Sequence, residues 1–220
     1  MPKDRTRAQQ LAREFLKKGD AIGWFEELYA QASETEQCVP WVDRVVNPHL
    51  ASWLVRQRLS GTGKTALVVG CGLGDDAEEL ARVGFHVVAF DVSPTAIMQC
   101  KERFPESAVH YCAVDLFSCP VSWVESFDFV FEAYTLQVLP ARFREEAAGQ
   151  IARCVTPAGT LLAIARGRDP SDDPGAMPWP LTRDELSYFN KSGLEAVNFE
   201  DFFDNEAPPV RRFRVEYVRR

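Results

Sequence analysis

Three glycines at alternate positions form the part of this sequence whose residue types and spacing point most clearly to chemistry. Gly70, Gly72 and Gly74 directly follow the apolar run Ala66–Val69. Glycine has no Cβ, so it adopts positive φ values and lets a ligand approach the backbone closely. A buried strand followed by a glycine turn and a helix start is typical of loops that bind nucleotides.

Two carboxylates follow the glycines at spacings that fit the same kind of ligand. Asp91 ends a second apolar run, Phe85–Asp91, about 20 residues after the loop, where nucleotide-binding units carry the acid that binds the ribose. Asp115 ends a third run, Ala108–Asp115. Parallel strands bring their carboxyl ends to one edge of the sheet, so we expect the glycine loop, Asp91 and Asp115 to line one crevice.

The charge of the loop distinguishes between two classes of nucleotide-like ligand. The segment Gly72–Ala77 satisfies the dinucleotide pattern G-x-G-x-x-A, but Asp75 and Asp76 occupy the helix N-terminus where a pyrophosphate would bind. Two carboxylates there repel a pyrophosphate. S-adenosylmethionine carries a sulfonium and an ammonium group but no phosphate, and therefore tolerates these acids.

In these segments the chain resembles the class I S-adenosylmethionine-dependent methyltransferases, over about residues 60 to 166. Val69–Gly74 is similar to their glycine motif, Asp91 to their ribose-binding acid and Asp115–Leu116 to their adenine contact. The resemblance implies S-adenosyl-L-methionine as cofactor and an α/β, Rossmann-like fold. This fold has a mostly parallel seven-stranded sheet, a C-terminal antiparallel hairpin and an N-terminal helical cap. The chain departs from the family at Val68, where many members carry an acid for the amino-acid end of the cofactor.

The residues expected at the site come from the glycine loop, the ends of the strands and the tryptophans of the flanking segments. The predicted cofactor contacts are Gly70, Cys71, Gly72, Gly74, Asp91, Val92, Asp115, Leu116, Glu132, Trp24 and Trp41. Glu132 and Tyr134, at the exit of the fourth predicted strand, are the candidate catalytic residues. Tyr134, Trp41 and Trp179 are the candidate acceptor contacts. The alternative is that Glu132 only orients a loop and that the aromatic residues only pack.

The histidines bear on the chemistry of the acceptor. His86 and His110 begin predicted strands at the edge opposite the crevice, and His49 follows a proline at a helix start. No general base is therefore evident. Methyl transfer from a sulfonium is a displacement that positioning and water exclusion promote, so an acceptor that is already anionic near pH 7 needs no base.

We therefore expect methyl transfer to a small-molecule nucleophile, with S-methylation of a thiol favoured. The aromatic cap and short acidic chain loosely resemble the thiopurine methyltransferase-like group. O- or N-methylation of a small aromatic metabolite is the first alternative. From other classes, a NAD(P)-dependent oxidoreductase and a non-catalytic S-adenosylmethionine-binding module remain open.

The elements that must position these residues fit one domain over residues 1–220. Residues 1–59 are predicted to form a helical cap and lead-in, residues 60–166 the cofactor-binding core, and residues 167–220 a lid loop and the C-terminal hairpin. Gly19 and Gly23 predict a break in the cap helix. The basic segment Arg211–Arg220 is interpreted as a strand whose alternate charges lie in solvent.

Composition excludes several partners. The net charge of −7 argues against nucleic acid, and no apolar segment predicts a membrane span. The six cysteines lack C-x-x-C pairs, so we expect reduced thiols and no metal site. The expectation is a cytoplasmic monomer or homodimer whose partner is a small-molecule acceptor.

Overall fold

Seven strands form one sheet in the computed structural model, which describes residues 5–35 and 39–220. They are β1 (Thr65–Val69), β2 (His86–Asp91), β3 (His110–Ala113), β4 (Phe127–Ala133), β5 (Val155–Arg166), β6 (Leu194–Phe203) and β7 (Arg211–Arg219). Their order is β3-β2-β1-β4-β5-β7-β6, with β1 to β5 parallel and β7 antiparallel to both β5 and β6. The predicted fold class, including the antiparallel C-terminal hairpin, is confirmed.

α-Helices connect β1 to β2, β2 to β3 and β4 to β5. The helices of the described residues are α1 (Thr6–Lys17), α2 (Trp24–Thr35), α3 (Pro48–Gln57), α4 (Asp75–Arg82), α5 (Pro94–Arg103), α6 (Ala141–Ala152), α7 (Arg183–Leu186) and α8 (Tyr188–Lys191). The predicted break between α1 and α2 is present, because Asp20 Oδ1 accepts hydrogen bonds from the backbone N–H of Ile22 and Gly23. None of the helices in the described residues has the length and apolarity that a membrane span requires.

Both faces of the central strands are buried, as their unbroken apolar runs predict. Residues 66–69 of β1 are at most 2% exposed. One apolar layer lies between the sheet and α6, and the other lies between the sheet and α3, α4 and α5. Val68 packs in the second layer, so the position that often carries an acid in the methyltransferase family is an apolar core residue here.

A third apolar cluster joins the cap formed by α1 and α2 to the carboxyl edge of the sheet. Leu11, Trp24, Leu28 and Tyr29 of the cap pack in it together with Leu73 of the glycine turn, and the cluster also includes the first turn of α5 and the segment around residue 177. The cap therefore lies directly over the edge where β1 and β2 end.

The terminal strand corrects one sequence interpretation. Arg212 and Arg214 are only 6% and 4% exposed, so these charges do not lie in solvent. β7 lies between β5 and β6 inside the sheet, and alternate residues of β7 consequently face α3. Arg214 Nη1 donates to the carbonyl oxygen of His49 at 2.6 Å, and its guanidinium pairs with Glu200.

Five of the six cysteines lie within the described residues. Cys71, Cys100, Cys112, Cys119 and Cys154 are free, and Cys38 lies outside the described residues. Within the described ranges, no group of His, Cys, Asp and Glu side chains could hold a metal ion.

Candidate active site

The glycine turn after β1 forms one wall of the crevice. Gly70, Gly72 and Gly74 have φ values of 60°, 54° and 90°, in the left-handed region that favours glycine. A Cβ added to Gly70 or Gly74 would lie 2.6 or 2.5 Å from side-chain atoms of the surrounding protein. At Gly72, the single described atom within 4 Å of such a Cβ is Tyr29 Oη, at 3.2 Å. Gly72 is thus the glycine that faces the space between the turn and the cap.

Asp91 lies beside this turn, as the spacing predicts. Its Oδ2 accepts a hydrogen bond from Gly72 N at 3.0 Å, and its Oδ1 accepts one from Ser93 N at 3.0 Å. The side chain is buried, and this burial raises its pKa to about 6, although the backbone hydrogen bonds act in the opposite direction. Asp91 therefore has a structural role in holding the turn, in addition to its predicted role at the ribose.

The ends of the neighbouring strands bring further predicted residues to the same place. Val114 N donates to the backbone oxygen of Asp91 at 2.9 Å, which sets the end of β3 beside the end of β2. The Asp115 carboxylate caps the turn Leu116–Ser118 by accepting from Phe117 N at 2.8 Å. Cys71 N donates to Phe90 O at 2.8 Å, and Val92 follows Asp91. Contact of these residues with the cofactor remains a prediction.

Two cap residues that the sequence analysis missed close the crevice. Glu26 accepts hydrogen bonds from Ser93 Oγ at 2.6 Å and from Thr95 Oγ1 at 2.6 Å, on the loop that follows Asp91. Burial raises the pKa of Glu26, but these hydrogen bonds outweigh it and hold the pKa below its ordinary value. The buried Tyr29 accepts a hydrogen bond from Trp41 Nε1 at 3.4 Å. No local pattern in the sequence marks either residue, because the partners of Glu26 lie 67 and 69 residues away.

The three predicted tryptophans all make packing contacts. Trp24 is buried within the cap, where its ring centroid lies 3.8 Å from that of Phe25. Trp41 and Trp179 are half-buried, and Trp179 N donates to Gln137 O at 2.8 Å. The structure thus supplies the packing role for each, and their contact with a ligand remains a prediction.

Tyr134 lies in a polar cluster on the other side of the crevice. It has a φ of 69°, which is uncommon for a bulky residue and is found often at functional sites. The Asn47 side chain lies near its hydroxyl, and the Arg212 guanidinium lies 5.2 Å from the ring centroid. Burial raises the pKa of Tyr134, against the lowering effect of Arg212, so the hydroxyl remains protonated near neutral pH.

Glu132 is 1% exposed and its two carboxylate oxygens differ in environment. Oε1 accepts hydrogen bonds from the backbone N–H of Thr135 at 2.7 Å and Leu136 at 3.1 Å. Oε2 is buried and has no hydrogen-bond partner in the described part of the chain. Burial raises the pKa of Glu132 to about 7, and the two backbone hydrogen bonds offset only part of this effect. This geometry favours orientation of the loop after β4, and direct contact with cofactor or acceptor stays a prediction.

The raised pKa of Glu132 predicts a pH-dependent cost to stability. The folded state holds this proton up to about pH 7, whereas the unfolded chain loses it near pH 4.5, so stability falls as pH rises between these values. Glu132→Gln removes this titration. Between pH 5 and pH 8 the free energy of unfolding of the variant should therefore rise by about 2 kcal/mol relative to the wild type.

Urea unfolding at the two pH values measures this difference. The matched control is Glu102→Gln, which removes a carboxylate from the exposed face of α5. An equal pH dependence in Glu132→Gln and wild type would contradict the raised pKa.

The donors and acceptors of the crevice fit S-adenosylmethionine. Gly72 provides a backbone without a side chain, and Asp91 provides a carboxylate for ribose hydroxyls. The helix N-terminus after the glycine turn is less negative than the sequence predicts, because Arg103 Nη2 binds Asp75 at 2.8 Å and neutralises it. Burial raises the pKa of Asp76 to about 6, and Asp76 Oδ1 accepts a hydrogen bond from Asn47 N. The two acids alone therefore do not exclude a dinucleotide.

Comparison with known proteins identifies a methyltransferase domain in this chain. Residues 66–159 match the family model described as a methyltransferase domain. No curated protein matches the sequence. Among solved structures, the N-methyltransferase NodS from Bradyrhizobium japonicum WM9, in complex with S-adenosyl-L-homocysteine, superposes with a TM-score of 0.67 at 20% identity. That match covers 87% of this chain and 98% of NodS.

Two further solved structures share the fold. Magnesium protoporphyrin IX methyltransferase from Synechocystis PCC 6803, with bound S-adenosylmethionine, has a TM-score of 0.62 at 16% identity, covering 78% of this chain and 77% of that one. The second structure concerns the conversion of a disulfide bond into a thioacetal group during echinomycin biosynthesis. It has a TM-score of 0.69 at 17% identity, and the match covers 86% of this chain and 89% of that one.

The family match spans β1 to β4 and the first residues of β5, and so includes the glycine turn, Asp91 and Asp115. The cofactor is S-adenosyl-L-methionine, for which the turn and its neighbouring carboxylate are suited. The chain thus carries a methyltransferase domain over residues 66–159, in the fold of the class I S-adenosylmethionine-dependent methyltransferases.

Proposed function

We propose that the enzyme methylates a small-molecule nucleophile that is anionic near neutral pH, with a thiol as the favoured acceptor. The observation that carries this proposal is the placement of the histidines. His86 and His110 are exposed at the starts of β2 and β3, at the edge of the sheet opposite the crevice. Burial, together with Arg212, lowers the pKa of His49 to about 4, which makes it a weak base for a neutral alcohol.

The acid whose pKa is closest to neutrality, above the values of about 6 for Asp76 and Asp91, is enclosed. Glu132 has a pKa of about 7, but its Oε1 is held by two backbone amides and the residue is almost wholly buried. A thiolate needs no proton acceptor, so it is the acceptor that this arrangement favours most.

The residues of the chain then mainly position the cofactor and the acceptor and exclude water from them. When bound, S-adenosylmethionine supplies an electrophilic methyl group on a sulfonium. Asp91 and the turn at Gly72 orient the cofactor, and Tyr29 with Leu73 covers the turn with apolar surface. Exclusion of water strengthens the electrostatic attraction between an anionic nucleophile and a cationic sulfonium.

The named structures of similar fold support more than one acceptor chemistry. The echinomycin structure concerns the conversion of a disulfide bond into a thioacetal group, whereas NodS is an N-methyltransferase. O- or N-methylation of a small aromatic metabolite is therefore the second candidate, and the pKa of Glu132 near 7 is the observation that favours it. The net charge of −7 supports a small molecule over nucleic acid as the acceptor.

The dependence of rate on pH tests the proposal. With saturating cofactor and a thiol acceptor, the methyl-transfer rate should rise about tenfold per pH unit until the acceptor's own pKa is reached. Thiols of different acidity should shift this midpoint by the difference in their pKa values. Initial rates for three thiols between pH 6.5 and 9.5, with S-adenosylhomocysteine affinity measured alongside, provide the test.

A midpoint that stays near pH 7 for every acceptor would contradict the proposal. If that midpoint also disappears in Glu132→Gln, the enzyme carries its own base, and the second candidate would replace the first.

A further inference from the structure

A pair of arginines faces the acceptor side of the crevice from two neighbouring strands. Arg166, the last residue of β5, lies directly opposite Arg212 of β7 in the antiparallel register. Like charges at such a position destabilise the strand pair unless other groups compensate. Arg212 is compensated by Asp204, at 2.7 Å, and by Glu206. The guanidinium of Arg166 forms no hydrogen bond or ion pair with any residue that the structure describes.

A third arginine adjoins this pair from the cap. Arg5 precedes α1, and its Nε is buried without a hydrogen-bond partner in the described residues. Burial is the main cause that lowers the pKa of Arg166, and the charges of Arg5 and Arg212 lower it further. Arg5 and Arg212 are therefore both close enough to act on the charge of Arg166, although they come from the N-terminal cap and from a neighbouring strand.

The position of this cluster associates it with the acceptor rather than with the cofactor. Arg212 lies over the Tyr134 ring, which follows β4, and Arg166 N donates to Gln137 Oε1 at 2.9 Å in the same loop. Asp91 and the glycine turn, in contrast, belong to β1 and β2 on the other side of β4 in the sheet order.

The charges of the cluster select the type of ligand. Asp204 and Glu206 pair with Arg212, so the three guanidiniums exceed these two carboxylates by one positive charge. A monoanion balances this excess, whereas a dianionic phosphate exceeds it. Guanidinium groups bind carboxylates through two parallel hydrogen bonds, and Arg166 has donors free for such a pair.

We propose that the methyl acceptor carries a carboxylate group, which Arg166 binds with the support of Arg5 and Arg212. This inference rests on the proposed transfer of methyl to a small molecule, and it specifies a second functional group of that acceptor, away from the atom that is methylated. Arg166 acts in binding and orientation, and it takes no part in the displacement itself.

Binding of simple probes tests the inference independently of turnover. Calorimetry with S-adenosylhomocysteine present compares benzoate, benzamide and phenyl phosphate on the wild type, Arg166→Gln, Arg166→Lys and the control Arg142→Gln, whose arginine is exposed on α6. Loss of a charged bidentate pair weakens binding about ten- to a hundredfold. Benzoate should therefore bind the wild type at least tenfold more tightly than benzamide. Arg166→Gln should lose this preference, Arg166→Lys should keep part of it, and Arg142→Gln should keep all of it.

Kinetics with matched thiols complete the test. At a pH where both thiols are ionised, 4-mercaptobenzoate should have a KM at least tenfold below that of 4-mercaptobenzamide, and Arg166→Gln should raise the first KM without changing the second. Equal binding of benzoate and benzamide to the wild type would overturn the inference. Tighter binding of phenyl phosphate than of benzoate would overturn the assignment to a monoanion. If no thiol is methylated but benzoate still binds through Arg166, the proposed thiol acceptor fails and the carboxylate inference stands.

Discussion

Gly72→Val is expected to abolish cofactor binding in a protein that still folds. Gly72 has a φ of 54°, and its missing Cβ faces the space between the glycine turn and the cap, 3.2 Å from Tyr29 Oη. A branched side chain there occupies the space in which the backbone approaches the ligand, and we expect the dissociation constant for S-adenosylhomocysteine to rise more than a hundredfold. Calorimetric titration measures this change.

The matched control is Gly63→Val, which distinguishes the loss of ligand space from the effect of backbone strain. Gly63, in the turn before β1, has a φ of 74° and no described atom within 4 Å of an added Cβ. Gly63→Val therefore imposes a similar left-handed strain of about 1–2 kcal/mol on the fold, but it should leave cofactor affinity unchanged. A folded Gly72→Val protein with near wild-type affinity would show that the glycine turn is only structural.

Asp91→Ala is expected to weaken cofactor binding by about 2–3 kcal/mol, which corresponds to roughly 30- to 150-fold in affinity. The carboxylate can accept two hydrogen bonds from ribose hydroxyls, and its loss also leaves the backbone N–H groups of Gly72 and Ser93 without their acceptors. The free energy of unfolding should consequently fall by about 1–3 kcal/mol as well.

Asp128→Ala is the control for this loss of hydrogen bonds. Asp128 Oδ2 accepts from Thr65 N at 2.8 Å, but it lies near the start of β4, at the edge opposite the crevice. The variant should lose stability and keep its affinity for S-adenosylhomocysteine. Unchanged affinity in a folded Asp91→Ala protein would remove Asp91 from the cofactor site.

The pKa of Asp91 adds a dependence on pH to the same assignment. Burial raises this pKa to about 6, and ribose hydroxyls donate to the ionised form. Affinity for S-adenosylhomocysteine in the wild type should therefore decrease as the pH falls through 6, and this decrease should be absent in Asp91→Ala.

The elements that hold the cofactor were predictable because their signals are local. Residues 66–69 form an unbroken apolar run, and a strand covered on both faces requires such a run. Gly70, Gly72 and Gly74 indicate a tight turn because few other residues adopt positive φ. Asp91 follows at the spacing of one helix and one strand. Each of these patterns depends on residues close in sequence, and the structure bears out the turn and its contact with Asp91.

The environments of the charged groups depended on residues that are distant in sequence. Glu26 binds the loop after β2 across 67 residues, and Asp75 is neutralised by Arg103 across 28 residues. Within the described residues, the packing around β4 leaves one oxygen of Glu132 without a hydrogen-bond donor.

The sequence by itself determined the buried strands, the glycine turn and the acid that follows it, because hydrophobic periodicity and glycine φ preferences act within a few residues. Only the tertiary structure decided which charges are buried. Arg212 alternates with apolar residues just as a solvated charge in an edge strand does, yet β7 lies between β5 and β6 and the arginine is enclosed beside Tyr134 and opposite Arg166. Burial and charge pairing are properties of neighbours in space, which the order of residues along the chain does not specify.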